Sequence, residues 1–323
     1  MIILTGGAGF VGSNLLKRLN ADGRDDILIV DNLKNSDKYR NLVGAKFLDF
    51  VDKHEFYVRV DHGDFDSEPV DAILHQGACT DTMEYDGKYM MQTNYEASRS
   101  LLDYALRRGV RLVYASTAAV YGHASEAIES PEAEAPLNIY GFSKLAFDNY
   151  ARRVCKDAKS LVVGLRYFNV YGPGEQHKGR MASMVYQFAR QIKETGVAKL
   201  FGGIGPFGPG ESTRDFISVH DLVEINMFFL QRDPVAAIVN AGSGVRSTWN
   251  QMAQAVIEAL GTGKIEYIDF PKSLESKYQF DTRADLTRLR GLGYDRPATE
   301  LRAGVKDYIG SIDQAEARFR ARY

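Results

Sequence analysis

Apolar residues fall along the first half of the chain in short runs of strand length, at positions 2–5, 27–31, 72–75, 112–116 and 161–166. Between them lie stretches of mixed apolar and polar residues that suit helices, at 12–21, 88–108 and 140–156. Strands that alternate with helices through short connections predict βαβ units around a parallel sheet. After about Tyr171 the pattern changes, because Gly172-Pro173-Gly174 and a glycine-rich stretch at 202–210 interrupt the alternation and charged helices follow. The fold expected is therefore α/β, a Rossmann-type doubly wound parallel sheet over 1–171 with a smaller, mostly C-terminal lobe over 172–323. Two later segments, 214–219 and 237–241, again read as strands and are expected to bring about 214–245 back to the sheet. No internal repeat or low-complexity tail is present.

Composition narrows the function. Of 323 residues 45% are hydrophobic and 25% charged, with a formal net charge of -2, so there is no basic stripe of the kind that binding nucleic acid or an acidic membrane surface requires. The chain opens on Met1-Ile2-Ile3-Leu4 with no basic segment before it, which reads as a core strand and not a secretion signal. No apolar stretch reaches the roughly 18–20 residues needed to span a bilayer. Two cysteines far apart, Cys79 and Cys155, fit a reducing cytoplasmic setting, and both are expected as packed thiols. Trp249 is expected to pack and His75 to be a satisfied core histidine. No metal site is evident.

The first strand runs into Thr5-Gly6-Gly7-Ala8-Gly9-Phe10-Val11-Gly12 and then a helix. Gly6, Gly9 and Gly12 permit a tight turn, close approach of the backbone to a pyrophosphate and close helix–sheet packing. The helix N-terminus adds free N–H groups and the positive end of a dipole. An acidic residue, Asp31, ends the second strand and suits a ribose hydroxyl, but Asn32, Lys34, Lys38 and Lys53 crowd the same region. Lysines beside an adenosine ribose favour a 2′-phosphate, so NADP is expected, with NAD the alternative.

Tyr140-Gly141-Phe142-Ser143-Lys144 sets a tyrosine and a lysine four apart, on one helix face. An ammonium there can lower the phenol pKa and reach the cofactor ribose, and a phenol so tuned can move the proton that accompanies hydride transfer. Upstream, the strand ending Tyr114-Ala115-Ser116-Thr117 puts hydroxyls at the carboxyl edge of the sheet, where α/β folds hold their ligands.

In motifs and in their order over essentially the whole chain, the sequence resembles the extended short-chain dehydrogenase/reductase family of nucleotide-sugar epimerases and dehydratases. The match rests on TGGAGFVG at Thr5 to Gly12 and YGFSK at Tyr140 to Lys144. Its register implies Thr117 as the hydroxyl partner of Tyr140 and Lys144, with Ser116 the second choice. Val30-Asp31-Asn32-Leu33-Lys34, His75-Gln76-Gly77-Ala78-Cys79, Arg166-Tyr167-Phe168-Asn169-Val170-Tyr171-Gly172-Pro173 and above all His177-Lys178-Gly179 with Met181-Ala182-Ser183 resemble the branch that inverts C6 of an ADP-activated heptose. That resemblance implies Lys38 and Lys53 at the NADP phosphate, Phe10 and Val11 at the pyrophosphate, and Gln76, Gly77, Ala78, Cys79, Thr80, Thr93, Val170 and Lys178 along the cofactor. It implies substrate contacts from Asn169, Arg180, Gln187, Phe201, Gly202, Gly203, Ile204, Arg214 and Tyr278. Three positions depart from the branch, which often has serine at 180, histidine at 187 and asparagine at 93. A homo-oligomer, with a pentamer as its order, is implied as well.

The implied chemistry removes hydride from a carbinol carbon, presents the other face of the ketone and returns the hydride with no net redox. It calls for acid–base groups on two faces, Tyr140 on one and Lys178 on the other. Arg214 suits a bidentate grip on a diphosphate. A UDP- or dTDP-hexose 4-epimerase or dehydratase on the same scaffold is the competing reading. Against a dehydratase, Ala118-Ala119 stand where elimination needs acidic residues. A catalytically silent NADP-binding regulator is a third reading, opposed by the intact Thr117, Tyr140 and Lys144.

Overall fold

The computed structural model describes residues 1–124, 126–272 and 278–320. Its strands in chain order are β1 Ile2–Thr5, β2 Ile27–Asp31, β3 Asp49–Asp52, β4 Ala72–His75, β5 Arg111–Thr117, β6 Val162–Tyr167, β7 Asn169–Tyr171, β8 Val197–Phe201, β9 Thr213–Ser218, β10 Ala236–Ala241, β11 Arg246–Thr248 and β12 Lys264–Ile268. Its α-helices are α1 Phe10–Ala21, α2 Lys53–His62, α3 Gly87–Met91, α4 Ala97–Arg108, α5 Ile139–Val154, α6 Met184–Thr195, α7 Val219–Leu230, α8 Trp249–Leu260, α9 Thr287–Gly291 and α10 Leu301–Arg320. Seven strands form one parallel sheet in the order β10-β6-β5-β4-β1-β2-β3. The chain reverses its direction of travel between β1 and β4, and this opens a crevice at the carboxyl ends of those strands.

The sheet is apolar on both faces because both are covered. Ile2, Leu4, Leu74, Val113 and Val163 meet Leu15, Leu16 and Leu19 of α1 and Leu222 and Val223 of α7. Their alternates Ile3, Ile73, Leu112 and Val162 meet Phe56 of α2, Leu101 and Leu102 of α4, and Phe147 of α5 on the other side. A separate core joins Val185, Phe188 and Ile192 of α6, Val256 of α8, and Val305 and Ile309 of α10 over the smaller sheets β11-β9-β7 and β12-β8. Among the described residues no helix is long and apolar enough to cross a membrane.

The strands at 2–5, 27–31 and 72–75 fall where the apolar runs predict them, and the others shift by a residue or so. Three features differ. Of the two segments expected to return to the main sheet, β10 does, on the outer edge of β6, but β9 pairs with β7 and β11 in a three-stranded sheet. The chain leaves the main sheet at Phe168, and the short β7 beyond it offers β9 a separate edge. β3 was not foreseen, since Asp49-Phe50-Val51-Asp52 buries only Val51 and lies at the sheet margin. The helical run through 88–108 is real but carries a π-type turn at Gln92–Glu96. That turn aims Asn94 at the loop after β4, where its side chain accepts from Cys79 N (2.8 Å) and donates to Cys79 O (2.9 Å).

A buried ion pair ties the helix α5 to the sheet. Asp148 and Arg166 are both completely buried, and Arg166 Nε and Nη2 donate to Asp148 Oδ2 at 3.0 and 2.9 Å. Tyr114 OH (3.1 Å) and Ser116 Oγ (2.9 Å) of β5 donate to the same carboxylate, and Glu134 accepts from Arg166 Nη2 at 2.5 Å. These carboxylates hold the guanidinium charged against the burial that opposes it. Removing one partner of such a pair leaves an uncompensated buried charge. Asp148→Ala is therefore expected to destabilise the fold by about 3–5 kcal/mol, read as a lower urea midpoint at unchanged slope; an unshifted midpoint would refute the account.

Candidate active site

A cleft of about 990 Å³ runs along the carboxyl ends of the main sheet. Its floor is the turn from β1 to α1. Gly6 has φ +68°, and a Cβ on it would lie 2.7 Å from Gly77 N; a Cβ on Gly12 would lie 2.1 Å from Gly6 O. Only glycine satisfies both positions. Gly9 stands at the N-cap of α1 with no side chain capping the helix, so the N–H groups of Phe10, Val11 and Gly12 remain available to an anion. Gly6, Gly9, Phe10, Val11 and Gly12 all line the cleft.

At one end of the cleft Asp31 is buried and both its oxygens are engaged. Oδ2 accepts from Ala8 N (2.9 Å), while Oδ1 accepts from Asn32 N (2.7 Å) and from Lys38 Nζ. Asp31 thus braces the glycine turn and anchors Lys38, and is less free for a ribose than its place in the sequence implies. Lys38, Asn32 and Lys53 line this end together. Asn41, which carries no sequence signal, donates to Ala8 O and to Gly174 O, both at 3.0 Å, and so joins the glycine turn to the loop after β7.

In the middle of the cleft α5 presents Tyr140 and Lys144, and β5 presents Thr117. The Asp148 network decides between the two strand-end hydroxyls. Ser116 is spent on Asp148, whereas Thr117 lies beside the Tyr140 phenol, whose pKa it lowers, and accepts from Ala119 N at 3.1 Å. The expected lowering of the phenol pKa is not found. Burial pushes Tyr140 up, Thr117 pulls it part of the way back and Cys79 opposes that, with no contribution from Lys144. The Lys144 ammonium is itself depressed by burial to about 8, against an opposing pull from Asp148 one turn along the helix. His75 beneath them exchanges hydrogen bonds with Thr5 Oγ1 (2.6 Å) and Ser98 Oγ (2.8 Å) and is held neutral down to about 3 by burial and by Lys144. It is the satisfied core histidine expected. Cys155 is buried, but Cys79 is a correction: it is half-buried in the cleft wall with Gln76, Gly77, Ala78 and Thr80, because the chain turns away from the sheet core after β4. Thr93 and Val170 line the cleft too.

The facing wall comes from a 3₁₀ turn at Gln176–Met181, after β7. Lys178 sits there with its Nζ 5.4 Å from the centre of the Phe10 ring, and burial lowers its pKa while Glu175 raises it. Tyr140 and Lys178, 38 residues apart in sequence, thus open onto the same cavity.

The residues expected at the substrate do not line that cavity. Arg214 is buried with its guanidinium 4.6 Å from the ring centre of Tyr278 and 5.5 Å from that of Trp249, and donates to Thr213 O at 2.8 Å. Desolvation lowers its pKa, and among the described residues it forms no ion pair. Trp249 packs on Phe216 and donates to Tyr278 OH at 2.9 Å, so it orders this cluster. Phe201 continues the cluster through Phe270, followed by Gly202, Gly203 and an Ile204 that pairs with Phe207. Asn169 donates to Asp215 O (3.3 Å) and Gln187 to Gly179 O (2.6 Å). Arg180 is 71% exposed and ion-paired to Asp81 at 2.7 Å across the cleft rim. Among the described residues no cluster of His, Cys, Asp and Glu could hold a metal ion.

This arrangement can hold a dinucleotide on the glycine turn and present a phenol and an ammonium to one bound carbinol. Comparison with known proteins finds relatives along nearly the whole chain. The chain is 48% identical over 317 residues, 98% of its length and 99% of the relative's, to the ADP-L-glycero-D-manno-heptose-6-epimerase of Alkalilimnicola ehrlichii. The crystal structure of the Helicobacter pylori ADP-L-glycero-D-manno-heptose-6-epimerase superposes with a TM-score of 0.83 at 31% identity, covering 97% of this chain and 96% of that one. The UDP-glucose 4-epimerase of Thermotoga maritima, solved with UDP-glucose, has a TM-score of 0.80 at 26% identity, over 97% and 99%. Residues 2–242 match the model of the NAD dependent epimerase/dehydratase family, and the chain belongs to that family.

Proposed function

We propose that this chain inverts C6 of ADP-D-glycero-β-D-manno-heptose to give ADP-L-glycero-β-D-manno-heptose with NADP as a tightly held cofactor. The observation that carries the reading is the 48% identity, over 98% of the chain, to a relative named for that reaction. The fit of the dinucleotide rests on the Gly6 and Gly12 contacts that exclude any Cβ and on the uncapped start of α1. When bound, a nicotinamide supplies the acceptance and return of a hydride at the carbinol carbon. The chain supplies the proton traffic and the positioning. Tyr140 serves the C6 oxygen from one face, oriented by the Thr117 hydroxyl, and Lys178 serves it from the other. Lys144, buried behind Tyr140, contributes positive charge to the site and can reach the ribose. Arg214, Tyr278 and Phe201 belong to the nucleotide-sugar end of the reading, and Arg180 and Gln187 to its rim.

NADP is favoured over NAD by the two lysines, Lys38 and Lys53, at the adenosine end. Lys38→Ala is expected to weaken NADP about tenfold or more, since a hydrogen bond to a charged group is worth roughly 1.5–3 kcal/mol, and to leave NAD little changed. Titration calorimetry with each cofactor checks this; equal losses for both would remove the argument for the 2′-phosphate.

Purified protein incubated with ADP-D-glycero-β-D-manno-heptose and no added reductant is expected to approach a mixture of C6 epimers without net NADPH, resolved by chromatography. Tyr140→Phe and Lys178→Met should each cut the rate by about 10²–10⁴, the usual worth of a positioned acid–base group. Activity confined to a UDP- or dTDP-hexose would keep the cleft chemistry and discard the heptose, and Lys178→Met with full turnover would remove Lys178 from the mechanism.

A further inference from the structure

The loop that carries Lys178 closes around a carboxyl group that the chemistry above leaves unused. Glu175 has no exposed surface at all. Its Oε2 accepts from Ser183 N at 2.5 Å and its Oε1 from Ser183 Oγ at 2.6 Å, with Gly172 N at 3.4 Å. One side chain therefore holds both ends of the 172–183 segment. Ser183 is also the N-cap of α6, its Oγ accepting from Tyr186 N, so Glu175 fixes the point where the loop becomes helix. Its own carbonyl accepts from Lys178 N at 2.9 Å, which sets the turn that aims Lys178 at the cleft.

The outer side of the loop is secured independently. Asn14 donates to Pro173 O (2.8 Å), Asn41 to Gly174 O (3.0 Å) and Asn35 to His177 O (2.8 Å). A buried carboxyl is expensive unless it is hydrogen-bonded or paired. Both of its oxygens accept here, and glutamine in its place would turn one acceptor into a donor facing Ser183. A carboxylate also places a negative charge on the turn that carries Lys178.

We propose that Glu175 is a positioning residue for the epimerisation, holding the loop that presents Lys178 and supplying the counter-charge that sets the protonation of its ammonium. This rests on the reading of Lys178 as an acid–base group. Burial lowers the Lys178 pKa and Glu175 is the group that raises it. The other charged groups around this turn are His177, itself held neutral by burial and by Lys38 and Lys178, and Asp31, which is paired with Lys38. On the far side of the Glu175 carboxyl stands the Tyr308 phenol of α10. With Glu175 neutralised, the ammonium loses its proton at lower pH, and the acid limb of the rate profile moves to lower pH.

The test compares kcat, KM and the pH dependence of kcat for cofactor-loaded wild type, Glu175→Gln, Ser183→Ala and Lys178→Met, with thermal melts as a folding control. Glu175→Gln should lose about tenfold in kcat with KM within about twofold, the pattern of an interaction that matters only during the reaction, and its acid limb should shift down. Ser183→Ala loosens the loop and keeps the charge, so its kcat should fall while its limb stays in place. It also tests the positioning if Glu175→Gln does not fold. Glu175→Gln with wild-type kcat and profile, or a lower melting temperature with an unmoved limb, overturns the proposal while an inactive Lys178→Met leaves the acid–base reading intact. An active Lys178→Met overturns both.

Discussion

The Asp148–Arg166 pair is the constraint on which the cleft depends. Asp148 lies one helical turn beyond Lys144 and two beyond Tyr140 on α5, Ser116 lies one residue before Thr117 on β5, and Arg166 lies one residue before the end of β6. A single buried carboxylate on α5, bonded to β5 and β6, fixes the rotation of α5 and its position along the strands. With Ser116 engaged by Asp148, Thr117 is the strand-end hydroxyl left to the Tyr140 phenol. A charge pair with no solvent around it tolerates little displacement, since each broken bond would leave an unpaired buried group.

The opposite wall is built on another principle. The loop that presents Lys178 has little regular structure and is held by side chains that reach its backbone, from Asn14, Asn35 and Asn41 outside and Glu175 inside. Two of these, Asn35 and Asn41, flank Lys38. The end of the cleft at Lys38 and the loop that carries Lys178 are therefore joined by hydrogen bonds.

Positive charge gathers in two separate places. One end of the cleft holds Lys38, Lys53 and the start of α1, while outside that cavity, in the smaller lobe, Arg214 lies buried among Tyr278 and Trp249. A guanidinium stacked on aromatic rings and, among the described residues, in no ion pair keeps its charge available to an anionic ligand, at a desolvation cost that an anion would relieve.

Much of the site could be read from the sequence alone, for a local reason. The glycine turn is a contiguous motif between a strand and a helix, Tyr140 and Lys144 are one helical turn apart, and a strand buried on both faces announces itself by its apolar run. Each is determined within a few residues of chain, so it survives whatever the rest of the molecule does. The sequence also settled the family, because those motifs recur in one order along nearly the whole length. Tertiary structure decided everything that depends on a partner distant in sequence. Whether Ser116 or Thr117 faces Tyr140 hung on Asp148, 31 or more residues on. Whether 213–218 joined the main sheet hung on the edge offered by β7. Cys79 left the core because Asn94 fastens its backbone to a π-type turn. The direction of the Tyr140 pKa followed from its burial in the fold, a quantity that no spacing of residues encodes. Glu175, flanked by motifs but itself carrying no sequence signal, acquired its place only when the loop closed and took the water away.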